Sequence, residues 1–166
     1  MDTTAIVFDG ERLPRVPIEI GNRKAVDFIF REDLDLNPPC QRGSVWGADR
    51  QRNLWFSLLS GIPSGLIIVS RRADSTSAVI DGKQRVEALR AFHNGTLTLP
   101  AGWFGASGAD AGTLVTIDEL DEIGPNQAAR ATVSVGTVDD LTLDGEQHLF
   151  DLVNFGGVPQ GASDLQ

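Results

Sequence analysis

The spacing of the hydrophobic residues changes several times along this chain of 166 residues. Short β-type runs at 5–8, 16–20 and 26–30 alternate with turn formers, and they predict a cluster of N-terminal strands. From residue 49, apolar residues recur at spacings of three and four, which predicts a helix over 49–60 with Asp49 as its cap. The pattern therefore changes from strand to helix before the middle of the chain.

Two continuous apolar runs, at 66–69 and 78–80, are typical of buried strands and predict a hairpin across the polar residues between them. The second run ends at Asp81-Gly82, and helical spacing then resumes until Asn94-Gly95. This arrangement predicts a strand, a tight glycine turn and the start of a helix. The later predicted elements are a loop over 100–112, strands at 114–117 and 131–135, an acidic solvated surface at 118–122 and a helix over 146–155.

Length and composition favour one globular domain, residues 1–166, in which residues 1–34 form an N-terminal strand extension. The longest apolar runs fall far short of the about 20 residues needed to cross a bilayer, and the N-terminus carries no export signal. We therefore expect a soluble, cytoplasmic protein without a membrane partner. The single cysteine, Cys40, excludes an internal disulfide, and two histidines cannot by themselves build a zinc cluster.

The net charge of −9 hides an uneven distribution of charged residues. Residues 1–90 carry 13 basic and 12 acidic side chains, whereas residues 91–166 carry only Arg130 against 11 acidic ones. Within 40–90 there are 8 basic and 4 acidic residues. Because an anion site needs Lys or Arg, it is expected in this middle segment, and a nucleotide suits it better than long duplex DNA.

The turn after the second buried strand is the best candidate for a phosphate site. A helix that starts directly after a glycine turn presents unpaired backbone N–H groups, and its dipole adds about half a positive charge. Gly82 allows close approach of the backbone, Arg85 can add bidentate contacts, and Lys83 adds a movable charge. The turn from Asp81 through Gln84 to Arg85 is therefore predicted to cradle a phosphate.

The order of several short motifs resembles that of the N-terminal domain of GmrSD-type modification-dependent restriction enzymes. That family has a proline-tyrosine-glutamine-arginine segment, a DGQQR signature and a late asparagine-glycine-glycine-proline segment. The similar motifs, spread over about residues 35–165, are Asn37-Pro38-Pro39-Cys40-Gln41-Arg42, Val45-Trp46, Arg50-Gln51, Leu58-Leu59-Ser60-Gly61-Ile62-Pro63, Val79-Ile80-Asp81-Gly82-Lys83-Gln84-Arg85, Leu149-Phe150 and Asn154-Phe155-Gly156-Gly157-Val158-Pro159.

The resemblance implies a small α+β domain of the ParB/sulfiredoxin-like fold, a small mixed sheet with helices, which binds a nucleoside triphosphate with Mg²⁺ and hydrolyses it. By position, it implies that Asp81 holds the metal or orients water, that Gln84 positions the attacking water or the nucleotide, and that Arg85 neutralises phosphate charge. These three residues are the implied catalytic set. The residues implied to bind the nucleotide are Gln41, Arg42, Arg50, Gly82, Lys83 and Asn154.

Three features depart from the family pattern. Cys40 replaces the usual aromatic residue, Lys83 replaces the first glutamine of the signature, and the histidine-rich nuclease domain of the restriction enzymes does not follow. Cys40 is expected to be a small buried side chain rather than a redox group. A separate nuclease or another restriction-system protein is accordingly an expected partner, and the sequence does not specify an oligomeric state.

Two alternative functions stay open. The first is a ParB-like enzyme that acts on DNA, as a nuclease or as a phosphotransferase on a modified base, which the relatives of the implied fold and the basic middle segment favour. Arg71 and Arg72, at a predicted hairpin tip, could also contact nucleic acid. The second is a non-catalytic module that senses a nucleotide or binds a partner. Among other residues, His93 is expected to interact with the helix dipole or lie on the surface, and Trp46 to anchor the core or line a nucleotide pocket.

Overall fold

The computed structural model describes residues 17–40 and 46–155, which form a mixed sheet with helices. The described strands are β1 (Glu19–Lys24), β2 (Leu34–Asp35), β3 (Leu66–Arg71), β4 (Ser77–Asp81), β5 (Leu99–Pro100), β6 (Leu114–Val115) and β7 (Thr132–Asp139). The described α-helices are α1 (Ala25–Ile29), α2 (Ala48–Leu59), α3 (Lys83–His93), α4 (Ile123–Ala129) and α5 (Leu143–Phe155). None of these helices combines the length and the apolar character needed to span a membrane.

The main sheet has the strand order β1-β7-β3-β4-β2, and β5 and β6 form a separate antiparallel pair. β7 runs parallel to β3 and antiparallel to β1, while β4 runs antiparallel to β3 and parallel to β2. The α+β class and the small mixed sheet are therefore confirmed. The ParB/sulfiredoxin-like assignment stays a prediction.

Alternating side chains of the sheet build a core on each of its faces, as the period of two in a strand requires. Val69 and Val79 belong to the larger core, which also holds the apolar faces of α1, α2 and α3. Ile68 and Ile80 belong to a second core, to which α5 contributes its buried apolar residues. The central strands are thus covered on both faces, which explains why they appear in the sequence as continuous apolar runs.

The β3–β4 hairpin and the helix that follows it agree with the sequence prediction. β3 and β4 pair antiparallel, β4 ends at Asp81, and α3 runs from Lys83 to a cap at Asn94. α2 also forms within one residue of its predicted bounds, and its end is followed by Gly61 with a φ of +73°. The elements nearest to the candidate phosphate site are thus the ones that the sequence predicts best.

The strand predicted at 26–30 is wrong, because this segment forms α1. Ala25, Phe28 and Ile29 are buried on one face of the helix, at the spacing of three and four residues that a helix requires. The predicted Asp49 cap is also wrong: Gly47 occupies that position, and Asp49 lies in the first turn with its carboxylate 2.9 Å from Arg52 Nη1. Segment 25–29 is helical rather than extended because of its tertiary packing, which a five-residue apolar pattern cannot reveal.

The first strand and the second half of the chain differ from prediction in smaller ways. Gly21 and Asn22, expected as turn formers, lie inside β1, where Asn22 Oδ1 accepts a hydrogen bond from Ser134 Oγ at 2.9 Å. The run at 5–8 lies outside the described residues. The predicted strand at 114–117 shortens to the two residues of β6. The helix α4 was not predicted, and β7 and α5 are longer than predicted.

Candidate functional site

The candidate site begins at the turn between β4 and α3, where Gly82 has a φ of +97°. L side chains rarely adopt this left-handed conformation, and glycine adopts it without penalty. A Cβ atom at this position would lie 2.9 Å from Arg85 Nη1 and 3.2 Å from Ile67 Cα. Glycine is therefore required at this position both by the backbone and by the space that Arg85 occupies.

Arg85 lies on the first turn of α3 and reaches back over the end of the hairpin. Its Nη1 donates hydrogen bonds to the backbone oxygen of Leu66 at 3.1 Å and to Asp81 Oδ2 at 3.2 Å. The guanidinium also passes Gly65, at which a Cβ would lie 3.4 Å from Nη2 and where φ is +88°. Two glycines with positive φ thus make room for one guanidinium group, which is paired with a carboxylate but accessible.

The Asp81–Arg85 pair leaves part of the hydrogen-bonding capacity of both side chains unused. Their side chains are 27% and 23% exposed, respectively. Among the described contacts, Arg85 donates only through Nη1, which leaves Nε and Nη2 for a ligand. Arg85 could therefore donate to a phosphate oxygen next to the helix N-terminus without losing its present bonds.

Lys83, the first residue of α3, is only 6% exposed. Its Nζ donates to Asn37 Oδ1 at 2.6 Å and lies 4.0 Å from Glu87 Oε1. The sequence predicted a movable charge here, whereas the described contacts hold the ammonium group in one place. Contact between Lys83 and a ligand stays a prediction.

Gln84 connects α3 to the beginning of α2 through Trp46. Gln84 Oε1 accepts a hydrogen bond from the backbone N–H of Trp46 at 3.0 Å, and Gln51 Nε2 donates to the backbone oxygen of Trp46 at 3.2 Å. The Arg50 guanidinium lies 4.9 Å from the centre of the Trp46 ring, as in a cation–π contact. The structure therefore places Trp46, with Arg50 stacked on its ring, next to Gln84 at the start of α3.

The other predicted binding residues are placed differently. Gln41 and Arg42 lie outside the described residues. Asn154 lies on the last turn of α5, where its Nδ2 donates to the backbone oxygen of Phe150 at 2.8 Å. Because α5 packs on the sheet face opposite to α3, none of the described contacts joins Asn154 to the Asp81–Arg85 turn.

Sequence reasoning missed two residues that shape this site. Gly65 lies 20 positions before Arg85, and only the pairing of β3 with β4 brings the two together. Asn37 belonged to a motif, but its bond to Lys83 spans 46 positions of the chain. No local pattern could have revealed either contact.

The arginines at the opposite end of the hairpin are engaged by carboxylates. Arg72 donates to both oxygens of Glu146 at 2.8 and 2.6 Å and to Asp35 Oδ2 at 3.2 Å. The hydrogen bonds to Glu146 raise the pKa of Arg72 above its ordinary value. Arg71 lies 3.5 Å from Asp139. The predicted hairpin tip is confirmed, but its charges are already paired.

Cys40 and His93 occupy partly apolar surroundings. Cys40 packs against the core that α5 covers, and burial raises the pKa of its thiol, as a structural cysteine requires. The His93 ring lies 5.5 Å from the Trp55 ring and 5.9 Å from the Phe30 ring, and burial lowers its pKa. His93 is thus partly buried among aromatic rings rather than on the open surface, and its interaction with the helix dipole stays a prediction.

The carboxylates near the turn do not form a metal cage. No group of three or more His, Cys, Asp or Glu side chains within 17–40 and 46–155 could hold a metal ion. Mg²⁺ is often bound by one or two carboxylates together with phosphate oxygens and water. Asp81, which has one oxygen bonded to Arg85, fits such a site only when a phosphate chain supplies further ligands.

Comparison with known proteins supports one family. The model of the GmrSD restriction endonuclease N-terminal domain matches residues 24–139. No curated protein and no solved structure matched the chain. The matched range contains the hairpin, the Gly82 turn and α3, and it ends before α5 and Asn154 begin.

Proposed function

Because the chain belongs to the GmrSD restriction endonuclease N-terminal domain family, we propose that it serves a restriction system by binding and hydrolysing a nucleoside triphosphate. The observation that carries the proposal is the partly exposed Asp81–Arg85 pair at the start of α3. It combines a cation with unused donors and a helix N-terminus, both of which bind phosphates, with a carboxylate that can hold Mg²⁺.

In this proposal the phosphate chain lies against the first turn of α3. Gly82 allows it to approach the backbone, and Arg85 donates from Nε and Nη2 while Nη1 keeps its bonds to the hairpin. Arg50, stacked on Trp46, is available at the neighbouring helix start. Arg42 and Gln41 complete the proposed binding set. Asn154 is included only because it is part of a motif that resembles the family pattern.

For hydrolysis, we assign Asp81 to the metal and to the orientation of water. Asp81 would hold Mg²⁺ together with the phosphate chain, and the metal would supply positive charge that offsets the charge of the phosphates. The Arg85 bond fixes the orientation of the Asp81 carboxylate, and Oδ1 faces no described partner. Gln84 is the proposed positioning group for the water or the nucleotide.

The test is a panel of the common nucleoside triphosphates, with binding followed by calorimetry and turnover by phosphate release, each with and without Mg²⁺. Arg85→Ala removes a charged donor, and we expect it to weaken binding by about ten- to a hundredfold. Arg130→Ala is the matched control, because it removes an exposed guanidinium from the second half of the chain. Failure of every nucleotide to bind, or equal effects of the two variants, would contradict the proposal.

A specific observation also favours a second candidate, a module that senses the nucleotide without hydrolysing it. The side-chain oxygen of Gln84 already accepts a hydrogen bond from the backbone N–H of Trp46, so this residue joins α3 to the start of α2. Tight Mg²⁺-dependent binding without phosphate release would support this candidate over the hydrolase. The DNA-acting alternative has less support, because Arg71 and Arg72 are paired with carboxylates.

A further inference from the structure

Lys83 is a buried cation whose nearest partner carries no charge, and it lies at the start of the helix that forms the candidate site. We propose that Lys83 determines ligand specificity through its charge, favouring long phosphate chains without touching them. This inference rests on the proposed function, since it concerns the same nucleotide site. It separates the role of Lys83 from that of Arg85, which is proposed to contact the phosphates.

The contacts of Lys83 make direct binding of a ligand unfavourable. Its Nζ is 2.6 Å from Asn37 Oδ1, and the residue is only 6% exposed. To reach a phosphate the ammonium group would have to break this short hydrogen bond and leave its buried position. Holding the ammonium in place therefore keeps its charge near the turn but not at the ligand.

The charge of Lys83 is only weakly offset by its neighbours. Its closest carboxylate, Glu87, is 4.0 Å away, at the limit of an ion pair. Glu87 also interacts with Arg90, whereas Asp81 is paired with Arg85. Glu87 is therefore shared between two cations, Lys83 and Arg90, and offsets the charge of Lys83 only in part.

A buried charge acts over a longer distance than an exposed one, because water and salt screen it less. Lys83 is the first residue of α3, so its side chain begins at the helix N-terminus, where the phosphate chain is proposed to bind. Its field adds to that of the helix dipole. Each further negative charge on a ligand gains from this field, and a triphosphate therefore gains more than a monophosphate of the same nucleoside.

Asn37→Asp is the decisive variant, because it keeps the shape of the partner but places a carboxylate next to Nζ. We expect the melting temperature to stay equal or rise. Affinity for the tightest-binding nucleoside triphosphate should fall by about three- to tenfold, and affinity for the monophosphate should fall less. A merely structural role for Lys83 predicts no loss of affinity in a variant that is equally stable.

Two further variants complete the test. Lys83→Gln removes the charge and should lower the triphosphate-to-monophosphate ratio as much as Asn37→Asp does, whereas Asn37→Ala keeps the charge and should preserve that ratio. Asn126→Asp, which adds a carboxylate at an exposed position of α4, is the matched control and should change neither affinity. Each affinity is scaled to the folded fraction measured by circular dichroism.

The outcomes separate this inference from the proposed function. If the wild-type chain binds no nucleotide, the proposed function fails and this inference falls with it. If the wild type binds but Asn37→Asp keeps its preference for the triphosphate, only the role of Lys83 is overturned. Equal losses in Asn37→Ala and Asn37→Asp would also overturn it, because the hydrogen bond rather than the charge would then matter.

Discussion

The two ends of the β3–β4 hairpin each hold an arginine against a carboxylate, but in different ways. At the tip, Arg72 donates through Nε, Nη1 and Nη2 to Glu146 and Asp35. At the other end, Arg85 donates through Nη1 alone, to Asp81 and to a backbone oxygen. The first guanidinium donates to carboxylates through all three of its nitrogens, whereas the second has two nitrogens without a described acceptor.

This difference indicates which end serves structure and which can serve a ligand. Glu146 is only 2% exposed and comes from α5, so its bidentate bond with Arg72 ties a helix on one sheet face to the hairpin. Asp35 extends the same network to β2. The Asp81–Arg85 pair connects residues of adjacent elements and leaves both side chains about one quarter exposed. A positive charge alone is thus a poor guide to a phosphate site, whereas unused donors on a fixed cation are a better one.

Loss of Arg72 should have the largest effect on stability. Arg72→Ala leaves the Glu146 carboxylate buried without its partner, and breaking such a pair costs about 3 kcal/mol of unfolding free energy. Urea unfolding measures this loss. Arg85→Ala, which removes a more exposed pair, should cost less than about 1 kcal/mol and act on nucleotide binding instead. Equal destabilisation by the two variants would remove the distinction between the two ends.

A substitution at Gly82 should have an intermediate effect and act on both properties. Gly82→Ala forces an L side chain into a φ of +97° and places Cβ 2.9 Å from Arg85 Nη1. We expect a loss of about 1–3 kcal/mol in unfolding free energy, measured in urea, together with weaker triphosphate binding as the guanidinium is displaced.

Gly21→Ala is the matched control for this test. A Cβ at Gly21 meets no atom within 4 Å, and the residue lies in the edge strand β1. This variant should therefore fold at least as well as the wild type and bind nucleotide equally. Unchanged binding in Gly82→Ala would show that the exact position of Arg85 does not matter.

The sequence predicted the site end of the hairpin well because its signals are local. Asp81, Gly82 and Arg85 lie within one turn, and a glycine between an apolar strand and a helical period indicates both the bend and the helix start. By contrast, α1 has only five residues, and its apolar pattern fits a strand as well as a helix. Tertiary packing, which buries Ala25, Phe28 and Ile29 on one face, favours the helix.

The chemistry within the site was less predictable than its location. The Lys83 ammonium group is fixed by its hydrogen bond to Asn37, and the Arg85 guanidinium fits because Gly65 has no side chain. Asn37 and Gly65 are distant in sequence and come close to these residues only in the folded protein. Contacts at the hairpin tip were equally unpredictable from the sequence. Arg71 and Arg72 looked alike in the sequence, and only the placement of α5 gives Arg72 a buried partner.

Substitution of Arg71, the other arginine at the hairpin tip, is expected to change the unfolding free energy least and is a control for Arg72→Ala. Arg71 lies 3.5 Å from Asp139, and their side chains are 56% and 53% exposed, respectively. Exposed pairs contribute little, because water already solvates both charges and ordering two long side chains costs entropy. Arg71→Ala should therefore lower the unfolding free energy by less than about 0.5 kcal/mol in the same urea experiment. A loss as large as that of Arg72→Ala would mean that charge at the tip, rather than burial of the pair by α5, stabilises this end of the hairpin.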